Sequence, residues 1–386
     1  MSRRTAFLPY QPRSILNKAR RADHWFWSRY SAYPYIGCQH GCAFCYCRER
    51  KYAPYEDPED FAHIIKVKEN APELLRRALS KAPVDVVFTG DYQPAERKFL
   101  LSLRMLEVCR DLGFPVFVLE RSPLVLRDID LLQDINRRAP SVVAFSILTT
   151  PDAPSYSPVR EIERLAPAPA KRFAAMEQFA KTGLLTGTCL MPVLPGISDD
   201  DATLESVVRW TADHGGQFVL VGALTLSDQQ RDYFSRVLNE RFAPLRGLYR
   251  SLYPAGSYAP ASDYGRRLGR RVRELCLKHG LADRIPRPII PGDRRALNKR
   301  VAERLANQAY TLELEGATSQ RVWAYRKAAW AIDELPHDVG LVYQQLGLKG
   351  VRDIPAVGAS LAPIIEPWIR PGVAGNGGAA AKPGPQ

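Results

Sequence analysis

The sequence predicts an α/β fold, a partial (β/α)6 barrel followed by a small all-α domain. Three observations carry this. Apolar runs of strand length alternate with amphipathic helical patterns between about residues 30 and 222, as successive βα units around a parallel sheet require. Six such units can be counted, which suits a partial barrel better than a closed one of eight. Beyond Ile285-Pro286-Arg287-Pro288 only helical periodicity remains.

In order, the strands are expected at Tyr33–Ile36, Val84–Thr89, Val116–Leu119, Val142–Leu148, Thr186–Met191 and Phe218–Val221. Helices such as Ala95–Leu112 and Lys171–Thr182 lie between them. The resulting division is a basic segment over 1–29, the barrel over 30–225, a basic helical extension and linker over 226–289, a helical domain over 290–370 and a disordered tail over 371–386. The linker follows from its prolines, each of which pushes its predecessor out of the α region. The tail follows from its Gly/Ala/Pro composition.

A chain of 386 residues is long enough for two domains, each with its own core. Apolar residues make up 46% and charged residues 25%, an ordinary globular balance that argues against a disordered chain. Lysine and arginine outnumber aspartate and glutamate by 54 to 41, and the net charge of +13 favours a polyanionic partner such as nucleic acid. The surplus is clustered. Arg3, Arg4, Arg13, Lys18, Arg20 and Arg21 crowd one stretch, and Arg266, Arg267, Arg270, Arg271, Arg273, Lys278, Arg284 and Arg287 another. No apolar run approaches the ~20 residues that span a bilayer, and Met1-Ser2-Arg3-Arg4 does not open a secretory signal, so a cytoplasmic protein without a membrane partner is expected.

Four of the seven cysteines fall within Cys38–Cys47, a clustering that points to metal or cluster ligation rather than disulfides. Cys38-Gln39-His40-Gly41-Cys42-Ala43-Phe44-Cys45 is a C-x3-C-x2-C loop directly after the first expected strand. Three thiolates can hold a cubane cluster and leave one iron without a protein ligand. A zinc knuckle is the structural alternative, with Cys47 or His40 as fourth ligand, although zinc sites favour paired C-x2-C units. Cys109 and Cys276 read as small core residues, and Cys189 as core or as a barrel-facing donor.

This spacing, with an aromatic before the third cysteine and βα units behind it, resembles the radical S-adenosylmethionine (SAM) superfamily. The resemblance implies a [4Fe–4S] cluster on Cys38, Cys42 and Cys45, SAM as second cofactor, and an electron donor such as a flavodoxin or ferredoxin. It implies chemistry by a 5′-deoxyadenosyl radical inside a barrel that keeps water away.

In barrels, ligands gather at the C-terminal ends of strands. Gly90 and Asp91 follow the second strand, Glu120-Arg121-Ser122 the third and Ser146 the fourth, while Arg172 opens a helix. Gly90-Asp91 is otherwise a plain turn. The stretch Thr89-Gly90-Asp91-Tyr92-Gln93-Pro94-Ala95-Glu96, the segment Pro123–Asp128 and Met191-Pro192-Val193-Leu194-Pro195-Gly196 resemble the spore photoproduct lyase-like branch over about residues 30–225. That resemblance implies cofactor contacts from Ser146 and Arg172; Gly90 would let backbone approach the same ligand and Asp91 would supply a carboxylate, while Tyr46 and Tyr92 are catalytic relay candidates or else packed aromatics. Two features depart from it: Phe44 stands where that branch has a tyrosine, and no cysteine lies near Ser146 in sequence.

Ile354-Pro355-Ala356-Val357-Gly358-Ala359-Ser360-Leu361-Ala362 reads as a helix end, a tight hairpin around Gly358 and a new helix capped near Ser360. Amides at such a helix start suit one phosphate. The segment resembles a helix-hairpin-helix motif. With Asn298–Glu303 and Val322–Ala329 it is similar to the small N-terminal DNA-binding domain of family X DNA polymerases, which implies DNA contacts from Gly358, Ala359 and Ser360. A protein-interaction module is the alternative.

Together these readings predict a radical SAM lyase that repairs damaged DNA, acting on a nucleotide flipped out of the duplex. Radical modification of RNA or of a protein side chain, and a noncatalytic iron–sulfur DNA-binding redox sensor, are the competing functions.

Overall fold

The computed structural model describes residues 4–370, so the expected disordered tail and Arg3 lie outside the described residues. Ten strands are formed among the described residues. The first five are β1 (Ala6–Tyr10), β2 (Asn17–Lys18), β3 (Ser28–Ser31), β4 (Tyr35–Ile36) and β5 (Ile64–Lys68). The rest are β6 (Val86–Thr89), β7 (Val116–Glu120), β8 (Ser141–Ser146), β9 (Leu185–Val193) and β10 (Phe218–Ala223).

Strands β3, β6, β7, β8, β9 and β10 lie side by side in chain order and pair in parallel, with β2 antiparallel at the β3 edge. Six successive parallel strands give the partial barrel that the alternating pattern called for. Their middle residues, among them Val87, Val118, Val143 and Phe145, are fully buried with Met105, Phe173 and Phe179 from the covering helices.

The first barrel strand is not Tyr33–Ile36. Ser28–Ser31 fills that place against β6, and Tyr35–Ile36 pairs with β5 in a separate three-stranded sheet of order β1-β5-β4. Pro34 has no N–H to give a ladder, so the chain leaves the large sheet there and starts afresh. The other strands match their expected positions to within one or two residues. The expected helix over Ala95–Leu112 is two, Glu96–Phe99 and Leu101–Leu112, broken where Leu100 takes φ +55°. The expected Lys171–Thr182 helix runs over Pro169–Lys181.

The basic stretch after β10 closes on the barrel. Helix Ser262–Lys278 buries Leu268, Val272 and Cys276 among Leu190, Val193, Val219 and Val221 of the last two strands, and Val219 N–H donates to Ala282 O at 2.9 Å. Nor does Ile285–Pro288 hang free. The Ile285 carbonyl accepts from Trp27 Nε1 at 3.2 Å, and the buried Arg287 guanidinium pairs with Asp85 at 2.8 and 3.0 Å. Contacts divide the chain between Pro288 and Ile289.

The second unit, among its described residues, is all-helical: Ala296–Leu314, Ser319–Asp333, Val339–Arg352 and Gly358–Ile369. Its core includes Val301, Leu305, Ala309, Ala329, Ile332, Val351 and Ile365. Buried Asn298 staples the unit, donating to Leu335 O and His337 O and accepting from Val339 N–H at 2.8 Å. The last helix begins at Gly358, not near Ser360. The turn before it carries two left-handed residues, Ala356 at φ +64° and Gly358 at φ +62°. Ala356 adopts a conformation that glycine holds at no cost.

Candidate active site

The cysteine loop leaves β4 through Gly37, whose φ of +83° and whose closeness to Ile64 O, 2.6 Å from where a Cβ would stand, leave no room for a side chain. Cys38 N–H then donates to Phe61 O at 2.8 Å, and Gly41 N–H to Cys38 O at 3.0 Å. The loop is locked from below by Arg48. Its guanidinium donates to Cys42 O, Gly41 O and Pro58 O at 3.0, 3.0 and 2.8 Å and lies between the Phe61 and Tyr233 rings. Gln230, from the helix after β10, donates to Phe44 O at 3.2 Å, so the last unit of the barrel holds the first loop.

Tight backbone turns link Cys38, Cys42 and Cys45, with Gly41 N–H donating to Cys38 O and Cys45 N–H donating to Cys42 O at 3.3 Å. Burial pushes the Cys38 thiol up and Cys42 to about 11, while a hydrogen bond with Cys47 draws Cys45 down. All three are free thiols. Among the described residues no three His, Cys, Asp or Glu side chains are arranged around a single ion. A cubane presents its irons at separate corners, so three thiolates on one turning loop fit it without meeting at a point. His40 is buried and held neutral, its imidazole pushed down to about 3 by burial first and then by Arg172 and Arg121.

The strand ends above the loop form a second layer. Gly90 and Asp91 continue β6 with φ of +137° and +94°, an arrangement that Glu120 at the end of β7 holds. Its carboxylate accepts from Asp91 N–H at 2.5 Å, Tyr92 N–H at 3.0 Å and Arg121 N–H at 3.3 Å. A Cβ on Gly90 would stand 2.8 Å from Glu120 Oε1. Burial pushes the Glu120 carboxyl up to about 7 and raises Asp91 well above the usual carboxylate range. Gln93 joins the layers: it donates to Gly37 O and Asp91 Oδ1, both at 3.0 Å, and accepts from Gln39 N–H at 3.0 Å.

A third group of charges sits on one buried carboxylate. Glu163 pairs with Arg172 at 2.7 Å, Arg121 at 2.5 Å and Arg160 at 3.5 Å. Arg172 is fully buried, donating also to Ser146 O and Pro167 O at 2.9 Å. It therefore holds Glu163 and the end of β8, and nearby the Arg121 guanidinium lies 4.9 Å from the centre of the Phe44 ring. Ser146 Oγ donates to Met191 O at 2.8 Å, which ties the ends of β8 and β9.

The two tyrosines part company. Tyr46 is half exposed beside the loop, edge-on to Tyr52 with ring centres 5.6 Å apart. Tyr92 is fully buried and donates to Asp128 at 2.7 Å. Cys189, remote from Ser146 in sequence, is its Cα partner in the β8–β9 register. Arg48, Gln93, Glu163 and Gln230 escaped the sequence reading. Arg48 follows the cysteine run directly and was the one with a local signal; Glu163 sits in a charged run, Arg160–Arg164, that looks like any solvated helix end.

The family model of the radical SAM superfamily matches residues 33–207, which contain the loop and the strand ends just described. An uncharacterized protein of Mycobacterium tuberculosis is 30% identical over 268 residues, covering 67% of this chain and 77% of that one. The chain belongs to the radical SAM superfamily. Radical SAM membership implies a [4Fe–4S] cluster and SAM. An uncharacterized protein of Methanocaldococcus jannaschii is 27% identical over 174 residues, 45% of this chain and 63% of that one. Among solved structures, a mutant spore photoproduct lyase with dinucleoside spore photoproduct aligns with a TM-score of 0.51 and 12% identity, covering 71% of this chain and 79% of that one. That likeness concerns the radical SAM fold alone.

Proposed function

We propose that this radical SAM enzyme acts on damaged DNA as a repair lyase. The observation that supports the reading is the pairing of a three-thiol loop at the C-terminal mouth of a partial barrel with an all-helical second unit that carries Trp323 and Lys327 along one open groove. Cys38, Cys42 and Cys45 would hold the [4Fe–4S] cluster. Reduced and loaded with SAM, that group supplies a 5′-deoxyadenosyl radical for hydrogen abstraction.

The chain's own residues set the stage for it. Arg48 and Gln230 hold the loop backbone, and Glu120 fixes the Gly90-Asp91 turn by accepting from the Asp91 and Tyr92 amides. Asp91, with Gly90 and Ser146, is the proposed cofactor contact, and Arg121 is the cation available for the cofactor's carboxylate. Tyr46 is the proposed relay residue.

DNA binding is assigned to the second unit. The Gly358-Ala359-Ser360 helix start offers amides for one phosphate. Beside it an open groove is lined by Ser319, Gln320, Trp323, Lys327 and Ala356, an aromatic and a cation of the kind that hold nucleic acid without reading sequence. The flavodoxin or ferredoxin class supplies the electron, and the cytoplasm is the expected compartment. Among the described residues no helix is long and apolar enough to cross a membrane.

The reading is tested by anaerobic incubation of the reconstituted, reduced enzyme and SAM with ultraviolet-irradiated DNA, followed by nucleoside mass spectrometry. Loss of one photoproduct with wild type but not with Cys42→Ala is the expected result. Photoproducts that persist while the cluster is intact would remove repair and leave RNA or protein as the substrate.

A further inference from the structure

Glu163 is a single carboxylate in contact with three guanidiniums, Arg121, Arg160 and Arg172, and both Glu163 and Arg172 are withdrawn from solvent. One negative charge against three positive ones leaves this group with a formal surplus of +2. Buried charges keep most of their mutual force because little water screens them, so such a surplus is costly unless something negative stands beside it.

The neighbour is the cysteine loop. Ile162 O, one residue before Glu163, accepts from Ala43 N–H at 2.9 Å, inside the C-x3-C-x2-C run. From the barrel side, Arg121 lies over the Phe44 ring and reaches Met191 O at 3.4 Å. The arginine group is thus keyed to the loop both through the backbone and through a ring between two of its cysteines.

We infer that Glu163 and Arg172 are positioning residues that hold Arg121 as a fixed positive charge beside the loop, and that this charge raises the reduction potential of the iron–sulfur cluster there. The inference rests on the cluster assignment made above. Reduction adds one electron to the cluster and no proton, and the nearby cation favours the more negative product. Net charge and hydrogen bonding around a cluster are among the quantities that set its potential. Arg121 thereby makes the electron easier to deliver.

The test is an EPR-monitored redox titration of reconstituted wild type, Arg121→Gln, Arg160→Gln, Arg121→Lys and the exposed surface control Arg137→Gln, each matched for iron content. Arg121→Gln should lower the midpoint enough to cut the reduced-to-oxidised ratio at a fixed potential about tenfold, which is about 59 mV for a one-electron couple. Arg160→Gln, at the partly exposed edge of the group, should shift it the same way by less. Arg121→Lys should recover most of the loss, and Arg137→Gln should leave the midpoint in place. The Arg121→Gln shift should survive high salt, because the charge it removes is shielded from ions. Wild-type midpoints in both Arg121→Gln and Arg160→Gln, or an upward shift in either, would overturn the inference while leaving the cluster in place. Wild-type protein that assembles no cluster would overturn the cluster assignment itself, and the inference with it.

Discussion

Arg48 shows how much of the site rests on side chains that do no chemistry. Its donors satisfy the carbonyls of Gly41, Cys42 and Pro58, the Cys42 bond being buried, and two aromatic rings lie against its guanidinium. Arg48→Ala should cost about 3 kcal/mol in urea unfolding, since buried acceptors are left unpaired. It should also lower the iron retained after reconstitution, and Arg48→Lys should not restore it, because an ammonium cannot present the same planar fork. Glu120 offers a pH signature. Its carboxyl is pushed up to about 7, by burial first, so between the usual carboxylate value and that point the folded chain keeps a proton the unfolded chain has released. Stability contributed here therefore falls as pH rises through that window. Relative to Glu120→Gln, wild type should lose about 2 to 3 kcal/mol between about pH 5 and about pH 8, read by urea unfolding. Equal pH slopes in the two proteins would remove Glu120 as the titrating group.

At the scale of elements, the βα alternation was legible because strands such as β6, β7, β8 and β10 are largely apolar runs and the covering helices between them are amphipathic. The first barrel strand was not. Ser28–Ser31 is short and polar on three of its four positions, and it is a strand only because β6 lies beside it. The cysteine spacing was legible because it is local. The Glu163 group was not, because Arg121 and Glu163 stand 42 residues apart and meet only once β7 and the segment after β8 are assembled. Tyr92 follows a strand end, yet its ring turns into the core toward Asp128. Close packing between elements also gives a test. A Cβ at Gly187 on β9 would stand 2.3 Å from Phe218 O on β10, so Gly187→Ala should destabilise the barrel by about 2 to 3 kcal/mol in thermal unfolding. In the second unit, Ala356→Gly should stabilise the hairpin by about 1 kcal/mol and Gly358→Ala should weaken it by a similar amount, because both positions are left-handed.

Across the whole molecule, the charge of +13 and the two basic stretches belong to different tasks. Much of the Arg266–Lys278 run is spent on intramolecular pairs, Arg271 with Asp201, Arg273 with Asp283 and Lys278 with Glu205, and helps to hold the closing helix against the barrel. The charge that this stretch can offer to nucleic acid is therefore smaller than its count of basic residues implies. DNA affinity measured against salt should fall with a slope reflecting a few phosphates rather than the full surplus, and Lys327→Gln should reduce that slope by about one. The proposed function joins this binding unit to a radical barrel, and one observable links them directly: release of 5′-deoxyadenosine from SAM. The measurement is made anaerobically on reconstituted, reduced protein with SAM alone, with intact DNA, with ultraviolet-irradiated DNA and with RNA. The account predicts release that irradiated DNA stimulates selectively; an intact, reduced cluster that releases none under any of the four conditions would contradict it.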